Sequence, residues 1–127
     1  MTYATRYAQH AAQTASRERI LVMLLEKAVA CMRSGTTALE EKRYAHANRD
    51  LSKAVDIVAH LRGTLNRPVF PELCDNLGNL YLWVCLRLGE AKLNRNPRPA
   101  REAERVFSPL ARAFAQAVES LGQQAVP

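Results

Sequence analysis

Three histidines, His10, His46 and His60, and three cysteines, Cys31, Cys74 and Cys85, are the residues of this 127-residue chain best suited to chemistry. Their spacing argues against it. A di-metal site in a helical bundle needs inward carboxylates and Glu-x-x-His pairs, and the chain has no Glu-x-x-His. No Cys-x-x-Cys exists to hold zinc, attach haem or form a redox disulfide. Nucleophilic catalysis lacks a G-x-S-x-G elbow, a phosphate-cradling glycine loop and any Cys–His pairing at a useful spacing. The sequence therefore points to no enzyme, no metal and no cofactor, with the cysteines as buried thiols and the histidines solvated or half-buried.

The basic residues pose a second question. Between Lys92 and Arg112 stand six cations (Lys92, Arg95, Arg98, Arg101, Arg105, Arg112) against two anions (Glu102, Glu104), in a chain of net charge +6. No aromatics are interleaved for base stacking, so the patch reads as a solvated surface and the protein as binding no nucleic acid.

More unusual is apolar excess. Leu80-Tyr81-Leu82-Trp83-Val84-Cys85-Leu86 is apolar nearly all round a helix, and Ile20-Leu21-Val22-Met23-Leu24-Leu25 repeats the theme. A helix packed on one side should be apolar on one stripe. Either a wide core takes a docked tail, or the excess lines an exposed groove for a partner helix. The second reading nominates Ile20, Leu21, Leu24, Leu25, Leu80, Tyr81, Leu82, Trp83 and Leu86, from helices one and three.

The elements that must position these residues follow from periodicity. At 48% hydrophobic and 24% charged, with Ala and Leu dominant, the composition favours a single all-α domain. The apolar runs fall far below the ~20 residues of a membrane span, the amino terminus is not signal-like, and unpaired cysteines suit a reducing cytoplasm. Ser16 is a candidate N-cap for helix one, which runs to about Glu41 because Leu21, Leu25, Ala28, Met32, Gly35 and Leu39 keep their alternation through Gly35. Gly35 then lies on the buried face, where a missing side chain admits a neighbour.

Helix two carries the seam Ala47, Leu51, Ala54, Val58, Leu61, Leu65 and ends near Gly63. Helix three opens at Pro71 with the stripe Leu73, Leu77, Leu80, Val84, Ala91; helix four opens at Pro97 behind Asn96, with Ala103, Phe107, Leu110, Phe114, Ala117 and Leu121. Pro109 should kink helix four or restart it at Ser108. The expected fold is an antiparallel up-down four-helix bundle over residues 16–122, preceded by a segment 1–15 and followed by a disordered tail 123–127.

Several stretches resemble the FliS family, the cytosolic export chaperones of flagellin. The likeness starts at Tyr3 and Tyr7 and passes through Ile20-Leu21-Val22-Met23-Leu24, Leu39-Glu40-Glu41-Lys42 and Ala47-Asn48-Arg49. It continues through Leu61-Arg62, Leu80-Tyr81, Arg87-Leu88 and Glu90-Ala91, so it covers residues 3 to about 121. Departures occur where the family usually has Tyr-Asp-Gly and this chain has Leu25-Glu26-Lys27, and where Tyr-Asp-Tyr becomes Tyr81-Leu82-Trp83.

The resemblance implies a bundle that binds the disordered carboxy-terminal segment of flagellin, or of a flagellin-like secreted filament protein, in apolar grooves. It uses no cofactor and hands its client to an export-gate component. It also gives Tyr3 and Tyr7 a role as a displaceable plug of the groove. Two other classes remain open on the residues: a basic helical nucleic-acid-binding module, and a self-assembling structural bundle, since the oligomeric state is not fixed by the sequence.

Leu61 tests the seam of helix two: Leu61→Ala should lower the free energy of unfolding in urea by about 2–5 kcal/mol, as for a packed core leucine.

Overall fold

A computed structural model describes residues 2, 4 and 16–125, with side chains from residue 16 to residue 120; Tyr3, Tyr7 and His10 lie outside the described residues. Four helices follow one another: α1 (Arg17–Glu40), α2 (Tyr44–Gly63), α3 (Pro71–Asn94) and α4 (Pro97–Ala125). Among the described residues there is no strand, and the chain is all-α as its composition implies.

The helix ends follow from local chemistry. Ser16 Oγ accepts the Arg19 N–H at 3.3 Å and Glu18 sits in the positive first turn of α1. α1 closes with the Arg43 N–H donating to Ala38 O at 2.8 Å and the Lys42 N–H to Leu39 O at 3.1 Å. This double closure places Lys42 in the left-handed region at φ 61°. α3 ends the same way: the Asn96 N–H reaches Ala91 O at 3.1 Å, with Arg95 left-handed at φ 51°. Pro71 opens α3, and Asn96 Oδ1 accepts the Arg98 N–H at 3.0 Å to cap α4. The helix holds through Pro109, so the expected restart at Ser108 does not occur, and it continues past residue 122 to Ala125.

The bundle closes as a ring in which α1 packs on α2 and α4, and α3 on α2 and α4; α1 and α3 lie on a diagonal and do not adjoin. Every neighbouring pair is antiparallel. Along α1 and α4, for example, Arg33 meets Glu104 while Glu40 meets Arg101. At the core, Phe107, Leu25, Met32, Leu51, Ile57, Leu88, Val58 and Val84 are the largest fully buried side chains. The seam of α2 is buried at Ala47, Leu51, Ala54, Val58 and Leu61, while Leu65 is half-buried at its end.

α3 differs from expectation. Its buried face is Cys74, Gly78, Tyr81, Val84, Leu88 and Ala91, whereas Leu77 and Leu80 are half-buried and Leu73 is 53% exposed. The leucine-rich helix offers several apolar stripes of similar strength, and contacts with α2 and α4 select one turned by a residue from the expected stripe. Likewise α4 buries Ala103, Phe107 and Ala111, leaving Leu110 and Phe114 packed against the core margin and Ala117 exposed.

Gly35 fixes the closest approach of α1 and α2. A Cβ on it would lie 2.6 Å from Leu51 Cδ2 and 2.7 Å from Cγ, inside any real contact, and Leu51 is fully buried and cannot step aside. Gly89 is the opposite case: a Cβ there meets nothing within 4 Å. Gly35→Ala should therefore lower stability by about 1 kcal/mol, with overpacking exceeding the gain in helix propensity. Gly89→Ala should raise it by about 0.5–1 kcal/mol, both measured by urea unfolding.

Candidate functional site

The four helix seams are not closed alike. Along α1 and α4, Arg33 Nε meets Glu104 Oε1 at 2.5 Å, Arg33 reaches Ser108 Oγ at 3.3 Å, and Arg101 meets Glu40 at 2.6 Å. Arg87 of α3 pairs with both Glu90 and Glu102, tying α3 to α4. Ser34 Oγ donates to Asp50 across α1 and α2 at 2.5 Å.

Among the described residues the α2–α3 seam carries its ion pair, Arg67 with Asp75, at its end. Its residues are small: Asn48, Ser52, Val55, Ala59 and Gly63 recur at three and four on α2, facing Gly78, Leu82, Cys85 and Gly89 on α3. Facing rows of short side chains leave a groove. One part of it is a cavity of about 430 Å³ between Val55, Ala59, Arg62 and Gly63 on one wall and Cys74, Gly78, Leu82 and Cys85 on the other. Arg62 Nε donates to Gly78 O at 3.1 Å, anchoring one rim, and Arg67 meets Asp75 at 2.5 Å beside the mouth. At the start of α3 a separate depression is lined by Val69, Phe70 and Leu73, all more than half exposed, and Leu86 on the outer face of α3 is 64% exposed. Such a run of uncovered apolar side chains marks a surface built to be covered.

Two of the thiols, Cys85 of the groove and Cys31 of the core, are weak nucleophiles. Burial pushes the Cys85 thiol above its usual range, with the nearby Arg62 cation opposing it, and burial likewise raises Cys31. Protonated at neutral pH, both are poor at attack and at metal ligation. His46 Nε2 lies 3.1 Å from Asp50 on the surface, and no group of three metal-ligating side chains occurs among the described residues.

The residues nominated for a groove between helices one and three are not brought together. α1 and α3 stand diagonally across the core, so no surface groove can form between them. Leu24, Leu25 and Tyr81 are at most 4% exposed and belong to the core; the Tyr81 ring tilts against Phe107 with centroids 6.2 Å apart, and burial raises its hydroxyl pKa. Ile20, Leu21 and Leu80 pack half-buried against the core margin. Trp83 is 37% exposed, one turn before the Arg87 that faces α4. Leu82 alone of the nine lines the α2–α3 groove. The residues missed were the small ones, Val55, Ala59, Gly63, Gly78 and Cys85. The spacing of Gly78, Cys85 and Gly89 by seven and four was the available signal, since it puts three short side chains on one face.

The segment before α1 touches the bundle at Ala4. This residue is fully buried, and its N–H donates to Asp56 Oδ2 at 2.9 Å. Asp56 stands on the strip of α2 next to the groove residues Val55 and Ala59.

The model of the family described as flagellar protein FliS matches residues 1–121. The chain belongs to the FliS family. The flagellar secretion chaperone FliS of Bacillus subtilis (strain 168) is 28% identical to it over 116 residues, covering 91% of this chain and 86% of the relative. The FliS of Salmonella typhimurium is 28% identical over 115 residues, covering 90% and 85%, and that of Escherichia coli K12 is 25% identical over 119 residues, covering 93% and 88%. These FliS relatives are named as chaperones, a class that performs no covalent chemistry, and this FliS chain is not an enzyme. Among its described residues no helix is long and apolar enough to cross a membrane.

The Asp56 contact gives a direct test. A hydrogen bond to a charged acceptor contributes about 1.5–3 kcal/mol, so Asp56→Ala should speed hydrogen exchange of the Ala4 amide by about tenfold or more while the core amides of α2 stay protected.

Proposed function

We propose that this FliS protein is a cytoplasmic flagellar export chaperone that holds the disordered carboxy-terminal segment of flagellin, or of a flagellin-like filament protein, until an export-gate component takes it. The observation that carries this reading is the α2–α3 groove, read together with family membership. Its walls are mostly short side chains with Leu82 among them, and exposed apolar residues stand elsewhere on α3 at Leu86 and at its start at Val69, Phe70 and Leu73. A segment that is disordered alone and amphipathic when folded gains enough from covering this surface to offset its ordering, and covering it removes the client's own polymerising face from solution.

The amino-terminal segment fits the same scheme as a competitor. Ala4 seats beside the groove, and a tail held there would occlude the surface for part of the time, giving Tyr3 and Tyr7 the role of a displaceable plug. A competitor lowers apparent affinity by the fraction of time it leaves the groove open.

Titration with the carboxy-terminal segment of the flagellin encoded by the same organism tests both points by calorimetry. Binding should show a negative heat-capacity change. Ala59→Arg places a guanidinium in the groove at an exposed helical position, and should weaken binding by at least tenfold without lowering the melting temperature. Deleting residues 1–12 should tighten it about tenfold if the groove is open about a tenth of the time. No heat of binding to flagellin would refute the assignment; unchanged affinity after deletion would remove the plug and leave the chaperone.

A further inference from the structure

The α2–α3 groove has two unlike ends. Toward Leu65 and Cys74 its walls are mainly apolar, and the two cations there are engaged, Arg62 with the Gly78 carbonyl and Arg67 with Asp75. Toward the α3–α4 turn it becomes a second cavity of about 450 Å³, lined by Asn48, Ser52, Gly89, Lys92 and Leu93. The missing side chain of Gly89 makes a notch between Leu86 and Leu93, and Leu93 stands 84% exposed beside it.

Cations surround this end. Arg43 and Arg101 are partnered by Glu41 and Glu40, but Lys42, Lys92 and Arg95 meet no carboxylate among the described residues. Arg95 follows the end of α3, and its guanidinium lies 4.5 Å from the ring centroid of Tyr44 at the start of α2; stacking of this kind holds a cation in place. It does so from a left-handed backbone at φ 51°, a conformation that glycine adopts without steric cost, so the position carries a cation where the turn itself favours none.

We infer that the groove reads direction: it takes an amphipathic segment with its apolar face over Val55 and Cys74, one apolar side chain in the Gly89 notch, and carboxylates at the end that meets Lys92 and Arg95. The inference rests on the groove being the client site. Countering the dipole at the end of α3 accounts for Lys92 and Arg95 as charges, but not for a notch and an exposed leucine between them. A polyphosphate is the poorer occupant, because Glu40, Glu41, Glu90 and Glu102 are interleaved around this end and Arg95 covers the face of Tyr44 that a base would need.

The test uses the full chain and the carboxy-terminal segment of the same organism's flagellin, followed by fluorescence anisotropy at low and high salt. Lys92→Glu with Arg95→Glu should weaken binding at least tenfold in low salt, less in high salt, and replacing the client's carboxylates by lysines should restore it. Gly89→Leu should weaken binding with no loss of melting temperature. The milder pair Lys92→Gln and Arg95→Gln should show the same direction to a smaller extent, which separates recognition from misfolding. Affinity within twofold of wild type for both pairs, with Ala59→Arg still abolishing binding, would overturn directional recognition and leave the chaperone assignment standing. No binding by wild type would overturn both. Duplex DNA binding lost on charge reversal, with the flagellin segment unaffected, would also overturn it.

Discussion

Leu51 seated against the bare backbone of Gly35 is the contact from which the other arrangements follow. It brings α2 onto α1 closely enough to fix the rotation of α2 about its own axis. With Leu51 inward, Ala47, Ala54, Val58 and Leu61 must face the core, because they share its stripe at three and four. The row Asn48, Ser52, Val55, Ala59 is then turned toward α3, and that row is short. A side chain at residue 35 would push Leu51 outward, rotate α2 and tilt its polar and small residues away from the groove they now floor.

The seams show how a small bundle leaves one surface open without losing its packing. Ion pairs across α1 and α4, and across α3 and α4, are solvent-exposed, and pairs of that kind contribute little stability each. They lay long side chains across the helix junctions, where α1 and α4 keep only smaller depressions of about 290 and 310 Å³. Across α2 and α3 the facing side chains are mostly short, and Arg62 to Gly78 O and the Cys85 thiol to Val55 O tie the two walls together. The groove is thus a consequence of side-chain length at a few positions rather than of any gap in the helices.

The same shortness sets what the surface can do. No carboxylate or imidazole is among the described residues that line the apolar half, and burial raises the Cys85 thiol there above its usual range. Short side chains thus leave an uncovered, mainly apolar surface, and the contact of Ala4 with Asp56 lies beside it.

Helix positions, caps and the buried role of Gly35 could be read from the order of residues, because they depend on interactions within four positions along the chain or on a period that survives a break. That the chain carries no Glu-x-x-His, Cys-x-x-Cys or G-x-S-x-G was readable for the same reason, since such motifs are local. Which face of α3 turns inward was not. In a helix that is apolar nearly all round, Leu80 and Tyr81 compete as core residues, and the contest is settled by Phe107, more than twenty positions away, against which Tyr81 packs. Nor could the order of helices around the ring be read: amphipathic stripes say that a helix is covered on one side, not by which neighbour. Placing α1 and α3 on a diagonal converted Leu24, Leu25 and Tyr81 from candidate surface into core, and moved the groove to α2 and α3, where the residues that make it are conspicuous only for what their side chains lack.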